Sequence, residues 1–220
     1  MDTPRSMQDI TSDPRTLWTV ASNIIPVIGV IAFGWQALPL LVFYWLENVL
    51  IGVLNVFKIA VSGLTKPMPQ PLFGLFLAAF FTVHYGMFCF VHGIFVFTIF
   101  TLGDLINAGV EPTGESFDLF DRVRAALGTD LIWSVALLVL VRLGEFAFFW
   151  IGGRAWQATE PRLQMMEPYG RIIVLHVTLF ICTIPVIALG QPMLAVLVLA
   201  LLKTGLELGL PMFRPDFKAR

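Results

Sequence analysis

Six long apolar stretches separated by short polar connectors set the pattern of this 220-residue chain. They fall at about 16–34, 38–61, 72–101, 129–151, 171–189 and 192–210. Each approaches the roughly 20 residues that cross about 30 Å of hydrocarbon. Runs this long and evenly apolar lack the two-residue alternation of barrel strands. They predict helices, whose backbone groups are satisfied within the segment. The expected fold class is therefore all-α: a polytopic membrane helix bundle of about six transmembrane helices, forming one domain over 1–220. Asn23, Pro26 and Gly29 interrupt the first run, and Pro26 predicts a kink there. The third is about 45 Å long at 1.5 Å per residue, so it must tilt or project beyond the bilayer. Leu189-Gly190-Gln191-Pro192 leaves room only for a tight turn between the last two runs, which predicts an antiparallel hairpin.

Composition strengthens this picture. Hydrophobic residues make up 57% of the chain and charged ones only 13%, about half the share usual in a soluble domain. The net charge is -1 with no clustered basic face, which excludes nucleic acid as a partner. The partner implied is the lipid bilayer. Lys and Arg fix an orientation. With both termini cytoplasmic, the inner side collects Arg5, Arg15, Lys58, Lys66, Arg154, Arg162, Arg171, Arg214, Lys218 and Arg220, and the outer side only Arg122 and Arg124. This bias predicts a multi-pass protein with an even number of spans. The outer connector, about 102–128, is acidic and includes an amphipathic piece from Phe117 to Arg124. Met1 to Arg15 is polar and lacks the plan of a cleavable signal peptide. Cys89 and Cys182 lie within apolar runs without metal or redox spacing and read as packing residues. No phosphate-binding glycine loop, Gly-x-Ser-x-Gly turn or Cys-x-x-Cys is present.

Against this background the ionisable residues inside the spans carry the chemistry, because each is costly in lipid and turns toward protein or water. On the second span Tyr44, Glu47, Asn48, Ile51, Asn55 and Lys58 form one stripe at helical spacing. Asn48 and Asn55 suit hydrogen bonds between helices. Glu47 has no basic residue one turn away on its own helix, so its partner must come from another helix, a metal or a proton. On the third span His84, Phe88 and His92 share a face. The two histidines stand about 12 Å apart along the axis, too far to bind one metal ion together. The fourth span carries Arg142 and Glu145, the fifth His176, and the sixth Lys203 and Glu207. Counting the rise from each run's edge places Tyr44, Glu47 and His92 in an outer layer. Asn55, His84, Arg142, Glu145, His176 and Glu207 fall in a second, cytoplasmic layer.

These residues predict a buried Glu/His site. Glu47, His84, His92 and His176 are its candidate metal ligands, for zinc or iron. Glu47, His84, His92, Tyr44, Asn48, Arg142 and Glu145 are its candidate acid–base residues, acting on a small molecule of unknown identity. Two other readings fit the same residues. One is a small-solute or proton-coupled transporter or channel; the other is a structural membrane protein, forming a homo-oligomer, whose polar residues only specify packing. The stretches Tyr44-Trp45-Leu46-Glu47-Asn48-Val49-Leu50-Ile51-Gly52, with Asn55 and Lys58, and Phe81-Thr82-Val83-His84-Tyr85-Gly86-Met87-Phe88-Cys89-Phe90-Val91-His92-Gly93 resemble a bacterial membrane family, the domain of unknown function 6498. The resemblance implies a multi-pass helical protein and no activity or cofactor.

Overall fold

The computed structural model describes residues 18, 24–26, 28–29, 31–35, 37–107, 128–170, 172–173 and 176. These residues form helices and turns, with no strand among them. Helix α1 runs Ala37–Leu64, α2 Gln70–Asn107 and α3 Thr129–Glu145, the last continuing into a π-helical turn, Phe146–Gly152. Two short helices follow, α4 Ala155–Ala158 and α5 Pro161–Met166. Three stretches are long and apolar enough to cross a membrane: Leu38–Leu64, Gln70–Thr98 and Thr129–Gly152. Helices of membrane length are thus present where the second, third and fourth spans are expected. Within the first, the helical turns lie at 24–26, 28–29 and 31–33. The sixth, with Lys203 and Glu207, lies outside the described residues, as does the amphipathic piece at 117–124.

Helices α1 and α2 are antiparallel, joined by a five-residue turn rich in proline. Glycine lets them approach at both ends of their contact. A Cβ at Gly63 would come to 2.7 Å from the Gly74 Cα. At Gly52 it would enter the Tyr85 ring, and at Gly93 it would press on the Trp45 indole. Without a hydrophobic drive between helices in lipid, close packing of this kind is what holds them. The Trp45 indole N–H also reaches across to the Cys89 carbonyl (2.8 Å). Cys89 is buried, as the packing reading expected.

Helix α3 runs parallel to α1. Arg142, in the last turn of α3, meets Glu47 in the first half of α1, and further along the Lys66 ammonium donates to the Gln157 carbonyl. Leu131 and Leu138 of α3 join Leu40–Tyr44 of α1 and Val96 and Phe97 of α2 in one apolar core. A second core, around Ile59, Leu77, Phe81, Tyr85 and Ile172, fills the end near Leu64. Outside, the helices are apolar: Trp133 is 71% exposed, Val83 75% and Phe90 67%. So much exposed apolar surface suits a lipid surround.

The fifth expected span, 171–189, differs at its start. Helical structure already begins at Pro161, breaks at Glu167–Pro168 and resumes at Tyr169. Proline has no N–H and ends the first piece, and Ile172 then bonds back to the Pro168 carbonyl (3.2 Å). From Tyr169, beside His84 and Tyr85, to His176, beside His92, the segment climbs parallel to α2.

Candidate functional site

Glu47 lies at the second apolar run's centre and is fully buried. Its partner comes from another helix, one of the three sources its sequence left open: an Arg142 Nη donates to its carboxylate at 2.5 Å, and the second Nη donates to Glu145 at 2.9 Å. Arg142 and Glu145 sit three apart on α3, one turn of one face. A single guanidinium fork therefore ties two carboxylates from two helices together. By the rise per residue the cluster stands about 14 Å from the Leu38 end of α1, well inside its membrane-length stretch. Tyr44 and Asn48 flank Glu47 and are buried with it. The Asn48 amide donates back to the Tyr44 carbonyl (2.8 Å), so this donor bonds within α1 rather than between helices. Asn55 does bond between helices, as expected.

His84, Phe88 and His92 share one face, as their spacing requires, and that face receives the fifth segment. His84 Nδ1 pairs with the Tyr169 hydroxyl at 2.7 Å and its ring stacks on Phe80. His176 packs edge-on against both Phe88 and His92, its ring centre 4.8 Å from that of His92. The His176 Nδ1–H donates to the Ile172 carbonyl at 2.7 Å, which leaves Nε2 without its proton. Two buried imidazole nitrogens then have no hydrogen-bond partner among the described residues, Nε2 of His176 and Nδ1 of His92. Gly93, next to His92, lies under Trp45, two residues before Glu47. The histidine pair and the ion cluster are thus level along α1 and α2.

The two-layer arrangement expected from depth counting is corrected. Arg142 and Glu145 join Glu47, and His176 joins His92, at one level. For His176 the count failed because the fifth segment starts ten residues earlier than its apolar run. A second polar group does exist nearer the α1–α2 turn, made of other residues. Asn55 donates to the Gln164 carbonyl (3.1 Å), and the Gln164 amide donates to Asn55 Oδ1 (2.7 Å) and to Glu167. Gln164 and Tyr169 were not among the sequence candidates. Pro161 and Pro168 made their segment read as a loop; Tyr169, Ile172 and His176, at helical spacing, were the available signal.

Among the described residues no three His, Cys, Asp or Glu side chains gather as a metal ion would need. The four expected ligands are distributed instead: Glu47 to Arg142, His84 to Tyr169, and His92 to His176.

The chain belongs to a family of unknown function, DUF6498, whose model matches residues 6–216. No curated protein and no solved structure matches it.

Proposed function

We propose that this protein is a bacterial inner-membrane bundle of six spans, both termini cytoplasmic, that handles protons at a buried acid–base site. The site is the His92–His176 pair, with the Glu47–Arg142–Glu145 cluster level with it. One observation carries the reading: two imidazoles touch inside the bundle, and each has a buried nitrogen that no group among the described residues satisfies. A buried polar atom left unpaired costs about 1–3 kcal/mol. Packing alone would be served better by two leucines. A proton taken up by the pair uses one of these nitrogens. Two imidazolium rings at 4.8 Å would repel by roughly 3–4 kcal/mol at an effective dielectric of 20, so the pair takes one proton and not two. Glu47 is the fixed member, its charge matched by Arg142.

Ring-nitrogen NMR of ¹⁵N-histidine-labelled protein in detergent tests this. On acidification the ring signals of His92 and His176 should change together, the pair gaining one proton between them. Replacing either with Asn should change the titration of the other. Two rings that stay neutral and unresponsive throughout would reduce the pair to packing.

A second reading, a proton-coupled carrier, is favoured by the break at Glu167–Pro168. Interrupted helices at membrane depth are typical of carrier binding sites. Here the break lies against Asn55, and His84–Tyr169 stands between it and the histidine pair. Single cysteines placed beside Glu47 and beside His84 should then react with water-soluble reagents from at least one side. Silence at both positions from both sides would remove the conduit.

A further inference from the structure

At the bundle end near the α1–α2 turn, a cleft of about 550 Å³ opens between the start of α2 and the start of α5. One wall is Leu72 and Phe73, both largely exposed. The other carries Glu160 and Arg162 on either side of Pro161. Both charged residues are exposed, and no ion pair is formed by either among the described residues. Gly63 and Gly74 fix the level of the cleft at the turn itself, where the apolar helices meet the polar connector.

We infer that this cleft holds the headgroup of a phospholipid bearing both a phosphate and a primary amine. Arg162 matches the phosphate with a guanidinium fork, and Glu160 accepts from the ammonium. A headgroup with phosphate alone would meet the Glu160 charge unpaired, and a quaternary amine has no N–H to give it. The apolar wall supplies the rest of the argument. Leu72, Phe76, Phe80, Val83 and Met87 follow steps of four, four, three and four along α2, and all are exposed. They make one continuous track about 22 Å long from the cleft into the hydrocarbon. An acyl chain anchored at the cleft lies along it. A soluble ligand would have no use for that track. The inference rests on the chain lying in a bilayer and is independent of the histidine pair.

The test is native mass spectrometry and thermal unfolding of delipidated full-length protein. The probes are phosphatidylethanolamine, phosphatidylcholine, phosphatidylglycerol and the chain-free headgroup glycerophosphoethanolamine. Phosphatidylethanolamine should be retained and should raise the unfolding temperature; the other three should bind at least about tenfold more weakly, the loss expected for one charged contact or for the chain. Glu160→Gln and Arg162→Gln should each remove the preference while leaving the unfolding temperature of the lipid-free protein unchanged. Glu160 makes no side-chain cap on α5, so its replacement keeps that helix. Phosphatidylglycerol bound as well as phosphatidylethanolamine, or a preference that survives both substitutions, would overturn the inference. Equal binding of the chain-free headgroup would also overturn it, since the track would then contribute nothing.

Discussion

Arg142 is the residue on which the buried charges depend. Removing one member of a buried pair leaves the others uncompensated and costs about 3–5 kcal/mol, whereas replacing the whole set with apolar side chains is often neutral. Arg142→Met should therefore lose roughly that much stability in detergent unfolding. Glu47→Met with Arg142→Met together should lose clearly less than the sum of the two single changes, a coupling read by a double-mutant cycle. Glu145→Gln should cost the least of the three, because Glu145 is half-buried at the edge of the cluster. His84 makes a contrasting case. Its partner is a hydroxyl, so Tyr169→Phe removes one hydrogen bond and should cost only about 1–2 kcal/mol. In the sequence, Glu47, His84 and His92 stood out because each breaks an apolar run. Arg142 and His176 stood out for the same reason, but the pairings did not, since nothing in a one-dimensional pattern says which of several polar residues a side chain will meet across a bundle.

Helix contacts set the next scale. At Gly63 an added methyl would strike the backbone of Gly74, which cannot move aside without parting the helices. Gly63→Ala should cost about 1–3 kcal/mol by overpacking. At Gly52 the obstacle is the buried Tyr85 ring, stacked on Phe81 and bonded to the Asn48 carbonyl, so Gly52→Ala should cost a similar amount. Gly86, on α2, faces open space, and Gly86→Ala should be neutral or slightly stabilising, since alanine is the better helix former. Unfolding temperatures of the three variants would rank them; a Gly86 variant as damaged as the Gly63 one would refute the argument. The long helices were legible because twenty apolar residues in lipid leave the backbone no alternative. The start of the fifth was not. Pro161, Glu167 and Pro168 are connector residues by composition, yet Gln164 is held at the depth of Asn55 by hydrogen bonds that only the assembled bundle supplies.

For the whole molecule, orientation is the property most open to a direct check. The α1–α2 turn at Thr65 and the loop at Arg154 belong to one end of the bundle, and Gly128, before α3, to the other. In a background lacking both native cysteines, Thr65→Cys and Arg154→Cys should react with an impermeant thiol reagent only after cells are permeabilised. Gly128→Cys should react in intact cells. The reverse pattern would invert the orientation, and labelling of all three from one side would break the span assignment. The link between Glu47 and Arg142 also has a consequence in time. They are separated by 95 residues, and ribosomes add about 5–20 residues per second. The acid is therefore delivered to the membrane some 5–20 s before its arginine leaves the ribosome. Insertion of α1 has to proceed ahead of the group that later neutralises Glu47, so nascent chains arrested before Arg142 should hold that helix less firmly in the translocation machinery than chains arrested after it.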